Sequence, residues 1–140
     1  MFATLISRCR PQALCLALCL AGGAAGCATA PEAQSVQGLW RIEQARSAPI
    51  IDKRQARLQF GADGRLSGHT SCNTLSASYA LEGDRVLIGP VTTTRNTCAE
   101  LQLEQEDRIL NALELAATVK VRPDGLLEMR DRDGLGVLRA

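Results

Sequence analysis

Residues 58–79 read LQFGADGRLSGHTSCNTLSASY. Leu58 and Phe60 alternate with polar neighbours, as in a half-buried strand with a two-residue period. The turn GADG follows, and its Asp-Gly pair supplies the positive φ that a tight hairpin needs. Arg65 to Thr70 then reads as the returning strand, so the chain opens as antiparallel sheet. Cys72 stands three residues after His69, which is the only histidine. Three readings are open for that cysteine: a nucleophile with His69 as base, a metal ligand, or half of a structural bridge.

The same pattern extends in both directions. Leu39 to Ile42 forms an apolar opening, followed by an irregular segment through Pro49. EGD at 82–84 separates Tyr79–Leu81 from Val86–Ile88, and VTTT at 91–94 is rich in β-branched strand formers. Near the end, Val119–Arg122 and Leu126–Arg130 flank PDG, and DRDG precedes Leu135–Leu138. Between these runs the spacing predicts a helix over about Glu100 to Thr118. Leu103, Ile109, Leu110, Leu113, Ala116 and Ala117 face inward in this reading, and Glu104, Asp107, Arg108 and Asn111 face out. Strands with one amphipathic helix in a short chain give an α+β class. The expected architecture is a mainly antiparallel sheet or open barrel with that helix packed on it. No repeat of 20 to 50 residues occurs.

The N-terminus reads as an export signal. Arg8 and Arg10 precede a short apolar run, Ala13 to Leu20, and then the small residues AGGAAG. The apolar run is near half the roughly 20 residues a membrane span needs. Ala24-Ala25-Gly26-Cys27 resembles the lipobox of bacterial lipoproteins, in which the cysteine thiol is acylated and becomes the first mature residue. The run ATAPEAQSVQG after it has the composition of a flexible tether. The expected organisation is therefore a signal peptide at 1–26, a tether at 27–37 and a domain at 38–140. Ala28 after the cysteine, where aspartate would favour inner-membrane retention, points to the outer membrane of a Gram-negative cell with the domain in the periplasm. Removing Arg8 and Arg10 leaves 14 basic against 15 acidic residues, a net of −1. Basic residues look scattered along the chain, and the mature aromatics are Trp40, Phe60 and Tyr79. No basic stripe or stacking platform for nucleic acid is legible.

Export also decides which cysteines matter. Cys9, Cys15 and Cys19 leave with the signal, Cys27 takes the lipid, and Cys72 and Cys98 remain. Two thiols in an oxidising compartment favour a disulfide, stabilising a small domain by roughly 3 kcal/mol in the chain-entropy model. A zinc site wants four ligands, and His69, Cys72 and Cys98 supply at most three. A catalytic Cys–His pair needs side chains within reach, whereas positions three apart on a strand end tend to point to opposite faces. Glu100, Glu104, Glu106 and Asp107 gather near the helix start, where the macrodipole favours negative charge. No phosphate loop of the form G-x-x-x-x-G-K-[ST] occurs. The chain is expected to carry no catalytic set, metal or cofactor.

Five runs taken together resemble a known family: GLWRI at 38–42, LQFGADGRLSGHTSCNTLSASY at 58–79, LIGPVTTTRNTC at 87–98, EQEDRILNAL at 104–113 and DGLLEMRDRDG at 124–134. They are similar to the META domain, the module of heat-shock-inducible HslJ-type outer-membrane lipoproteins. The resemblance implies that Trp40 and Phe60 are core and that Gly68 sits at a close backbone approach. It also implies Asn73 in a turn, Tyr79 in the scaffold, Arg95 beside the second cysteine and Glu106 as the helix acid. Ser71 stands where glycine is usual, Ala77 where glycine is frequent and Val119 where tyrosine is common. The implied role is in heat or antibiotic tolerance of the envelope, with no enzyme activity. Two readings of that role remain: a structural or protein-interaction module whose partner would be an envelope protein, and a small-ligand binding module.

Overall fold

The computed structural model describes residues 34–140. The expected signal peptide, Cys27 and the part of the expected tether up to residue 33 lie outside the described residues. Eleven strands and one helix follow in order: β1 (Gly38–Arg41), β2 (Gln44–Ala45), β3 (Ala48–Pro49), β4 (Arg57–Phe60), β5 (Arg65–His69), β6 (Thr74–Glu82), β7 (Arg85–Ile88), β8 (Thr92–Thr93), α1 (Glu100–Leu115), β9 (Thr118–Val121), β10 (Leu127–Arg130) and β11 (Gly136–Arg139). All pairings are antiparallel, in the order β1-β4-β5-β6-β7-β9-β10-β11-β2-β3, with β8 beside β6. The sheet is open, with α1 packed on it, and the class is α+β as expected. Residues 42 and 43 carry the chain from one end of the sheet to the other. Ile42 N–H donates to Ala56 O at 3.0 Å beside β4, and Glu43 N–H donates to Arg139 O at 2.8 Å beside β11.

β6 organises the sheet. Its nine residues alternate exposed and buried over Thr74–Tyr79, placing Leu75, Ala77 and Tyr79 inward. Its first half pairs with β5 and its second with β7, so one strand serves two hairpins. The predicted Asp-Gly turns at Gly64, Gly125 and Gly134 all have φ between 75° and 82°, which a β-carbon disfavours. The core is aliphatic, with Ile42, Leu58, Leu66, Ile109, Leu113, Leu127 and Met129 fully buried. Phe60 is buried with them and meets Tyr79 edge-on, ring centroids 5.0 Å apart. Each such side chain contributes about 1.5–3 kcal/mol by burial. Trp40 and Val36 are half-buried against this core, and Trp40 Nε1–H donates to Val36 O at 2.7 Å. Among the described residues the strands pair with one another and share one hydrophobic core, so 34–140 has the contacts of a folding unit.

Three local expectations need correction. The segment before Pro49 is not irregular throughout, since β2 and β3 form a two-residue hairpin at Arg46 and Ser47, both at positive φ. The helix ends at Leu115 rather than Thr118, because Ala116 turns extended at ψ 124° and Thr118 already begins β9. Leu103 is 42 % exposed, and the inward face of the first turns is occupied by Gln105 and Glu106 instead.

Candidate functional site

The most densely bonded polar region is the tight loop Thr70–Asn73 between β5 and β6, pressed against α1. Thr70, Ser71, Asn73, Gln105 and Glu106 are all buried, so each polar atom there must find a partner or pay the desolvation cost in full. The loop closes on itself: Thr70 N–H donates to Asn73 O at 2.9 Å, and Asn73 N–H returns to Thr70 Oγ1 at 3.0 Å. Thr70 Oγ1 also accepts Cys72 N–H at 3.3 Å, and the hydroxyl donates to Glu106 Oε2. Asn73 makes all four bonds its amide allows. Its Nδ2 donates to Glu106 Oε1 at 3.1 Å and to Cys72 Sγ at 3.3 Å. Its Oδ1 accepts Asn96 N–H at 2.8 Å and the Thr94 hydroxyl at 2.9 Å. Gln105 completes the weld, accepting Ile51 N–H at 2.7 Å and donating to Thr70 O at 2.8 Å and Ser71 Oγ at 2.9 Å.

Cys72 and Cys98 form a disulfide with α-carbons 5.9 Å apart, closing a separation of 26 residues. The bridge joins this loop to the segment leading into α1, and with its sulfur bonded Cys72 is no free thiolate. His69 is occupied differently, since its Nδ1 accepts Ser71 N–H at 2.9 Å, which fixes the Nε2–H tautomer. Among the described residues no three His, Cys, Asp or Glu side chains gather as a metal group. The Thr70 hydroxyl has its proton on Glu106, both lone pairs filled by backbone N–H and no solvent exposure. It therefore offers no lone pair for attack on a substrate.

Gly68 does sit at a close approach, since a β-carbon there would press into Arg57 O. Asn73 lies at the end of the loop as expected, and Glu106 meets it. Arg95 is exposed three residues before Cys98 and has no carboxylate within ion-pair distance among the described residues. Ala77 and Val119 are both buried, so each fills core space on an inward strand position. Thr70, Gln105 and the Ser71 hydroxyl were not singled out from sequence. The signal for Gln105 and Glu106 was present: they precede Ile109 by four and three residues and so share its helical stripe.

Ser71 has φ 83°, in the region glycine favours, which explains why glycine is usual there in the resembling family. The hydroxyl offsets the strain by donating to Asp52 O at 2.9 Å while accepting from Gln105. Ser71→Gly relieves strain and loses those bonds, and its stability should stay within about 1 kcal/mol of the wild type. Ser71→Ala keeps the strain and loses the bonds, and should cost about 1–3 kcal/mol. Urea unfolding of the two variants checks the order, glycine above alanine.

Tyr79 ties the sheet to the β4–β5 turn, its hydroxyl donating to Gly61 O at 2.6 Å. Burial, and then the charge of Asp63, raise its pKa above the ordinary 10.0. Below about pH 10 both folded and unfolded chains keep this proton, so the bond contributes fully. At higher pH the unfolded chain ionises first, and that contribution is lost as pH rises through the folded value. Tyr79→Phe should therefore be about 1 kcal/mol less stable than wild type at pH 8, with the gap closing above about pH 10. Paired urea curves across that range test it.

A family model described as META domain matches residues 33–140. No curated protein matches the chain in sequence. An NMR structure of a protein from Burkholderia xenovorans is similar at 25 % identity and a TM-score of 0.55, covering 74 % of this chain and 79 % of that one. A second protein solved by NMR is similar at 21 % identity and a TM-score of 0.57, covering 74 % and 87 %. Both likenesses concern the fold.

Proposed function

The chain belongs to the META-domain family, and from that premise we propose that it is a lipid-anchored domain of the Gram-negative cell envelope. Its role in this reading is structural or protein-interacting, and it supports tolerance of heat or antibiotic stress as an HslJ-type lipoprotein. The observation that carries this reading is the engagement of Thr70, Asn73, Gln105 and Glu106, which are bonded to one another and to the backbone. Their chemistry is directed inward, to holding a loop on a helix. The lipobox at Cys27 and the tether after it support an anchor. A small-ligand module would need an apolar cavity, and Phe60, Leu66, Ile109, Leu113 and Met129 fill the inward positions where one would lie.

Deleting the gene should sensitise cells to heat or to drugs that cross the envelope, and the wild-type copy should restore tolerance. Unchanged survival across those stresses contradicts the role. Anchoring has a separate test in mass spectrometry of the mature protein. Acyl chains on Cys27 are expected, and an unmodified N-terminus at another residue contradicts them.

A further inference from the structure

Strand register gathers basic side chains that look scattered in the sequence. Arg41 on β1 lies directly opposite Arg57 on β4, and Arg57 lies directly opposite His69 on β5. Directly opposed side chains on neighbouring strands have β-carbons about 4.5–5.5 Å apart, and like charges placed so are destabilising. Arg41 and Arg57 are both exposed, and neither has a carboxylate partner among the ion pairs of the described residues. Arg65 occupies another outward position on β5, with Gln59, Ser67, Thr74, Ser76 and Ser78 between and beside the arginines and His69. No carboxylate stands at any of these outward strand positions. The flanking acids are Glu43, paired with Lys53 at 2.6 Å, and Asp63 in the β4–β5 turn.

The row opens at the sheet edge into a cleft of about 340 Å³ lined by Leu39, Trp40, Arg41, Arg54, Arg57 and Leu126, with Glu43, held by Lys53, and Ala140 also on its wall. Leu39 is 64 % exposed two residues before Arg41, so it shares the outward side of β1. A repulsive arginine pair beside an exposed leucine is the composition of a surface that meets anionic headgroups, phosphates at the guanidinium groups and apolar atoms at the leucine. Its place in the chain agrees. Gly38 is 11 residues beyond Cys27, a span of at most about 40 Å when extended.

We propose that the Arg41–Arg57–His69 row, with Arg54, Arg65 and Leu39, is a docking face for a phosphate-bearing anionic lipid surface. It would turn the outward side of β1, β4 and β5 towards the membrane. The proposal takes its geometry from the anchored reading above, but its test does not need the lipid. Residues 33–140, without the acylated cysteine, are mixed at low salt with vesicles of phosphatidylcholine, or of phosphatidylcholine with about 30 mol % phosphatidylglycerol. Sedimentation should show the domain on the anionic vesicles only, at millimolar lipid, and released at about 0.5 M salt. Arg41→Gln with Arg57→Gln should weaken binding at least about tenfold while leaving thermal unfolding unchanged or raised, since a repulsive pair is removed. Lys120→Gln with Arg132→Gln, equal in charge but off this face, should bind like wild type. Inorganic phosphate should compete no better than sodium chloride at matched ionic strength, which separates a lipid surface from a free phosphate site. Equal binding to both vesicles, no binding at all (the result for a face made for an acidic peptide), or equal loss in the two double variants would overturn the proposal. An unmodified Cys27 would by contrast remove only the anchor.

Discussion

Replacing Asn73 with aspartate should destabilise the domain by about 3–5 kcal/mol, although the two side chains have the same shape. Asn73 Nδ2 lies 3.1 Å from Glu106 Oε1, and both residues are buried. The substitution turns a donor into an oxygen and sets two carboxylates against each other away from water. No arginine or lysine ion pair involves Glu106 among the described residues, so nothing nearby absorbs the added charge. The second donor to Glu106, the Thr70 hydroxyl, can turn to Asn73 O at 3.2 Å and cannot replace the lost bond. At Oδ1 the bonds from Asn96 and Thr94 survive, which confines the change to the face towards α1. Urea unfolding at neutral pH gives the difference directly, and a loss under about 1 kcal/mol would show that Glu106 is not held as described.

The second large effect is expected from the disulfide. Cys72→Ser with Cys98→Ser should lose about 3 kcal/mol, because the bridge restrains a loop of 26 residues in the unfolded chain. Two further terms act in the folded state. Cys72 Sγ accepts Asn73 Nδ2–H at 3.3 Å, and the bridge fixes the segment that carries Asn96 to Asn73 Oδ1. A serine hydroxyl can take over the first of these, so the double serine variant isolates the restraint better than double alanine. Reduction of the wild type should move its unfolding midpoint to that of the serine variant. A midpoint unaffected by reduction would contradict the assignment.

The division between legible and illegible features follows physical range. The hairpins at Gly64, Gly125 and Gly134 could be read because an Asp-Gly pair encodes its turn within two residues. The bridge could be read because the expected export and the parity of the remaining thiols leave Cys72 and Cys98 as partners. Glu106 was harder. By type and position it belongs with Glu100, Glu104 and Asp107 as a solvated acid near a helix start, and only its place on the Ile109 stripe opposes this. Leu103 misled for the complementary reason, since an apolar residue at near-helical spacing can still lie off the buried arc. Serine itself does not encode left-handed backbone, and the sign of the positive φ at Ser71 lay in the glycine usual at that position in the resembling family. The basic row is legible only in register, as Arg41, Arg57 and His69 become neighbours through pairings 12 to 16 residues apart.

At the centre of the contacts between loop and helix, the Asn73 amide donates to the buried Glu106 carboxylate. A double-mutant cycle tests it most directly, because it restores complementarity by exchanging the two groups. Asn73→Asp alone and Glu106→Gln alone should each destabilise, whereas the combined variant lets the new glutamine donate to the new carboxylate. The predicted result is a combined variant at least about 2 kcal/mol more stable than the sum of the single losses implies. Strict additivity would mean that Asn73 and Glu106 do not meet, and would contradict the account at its centre.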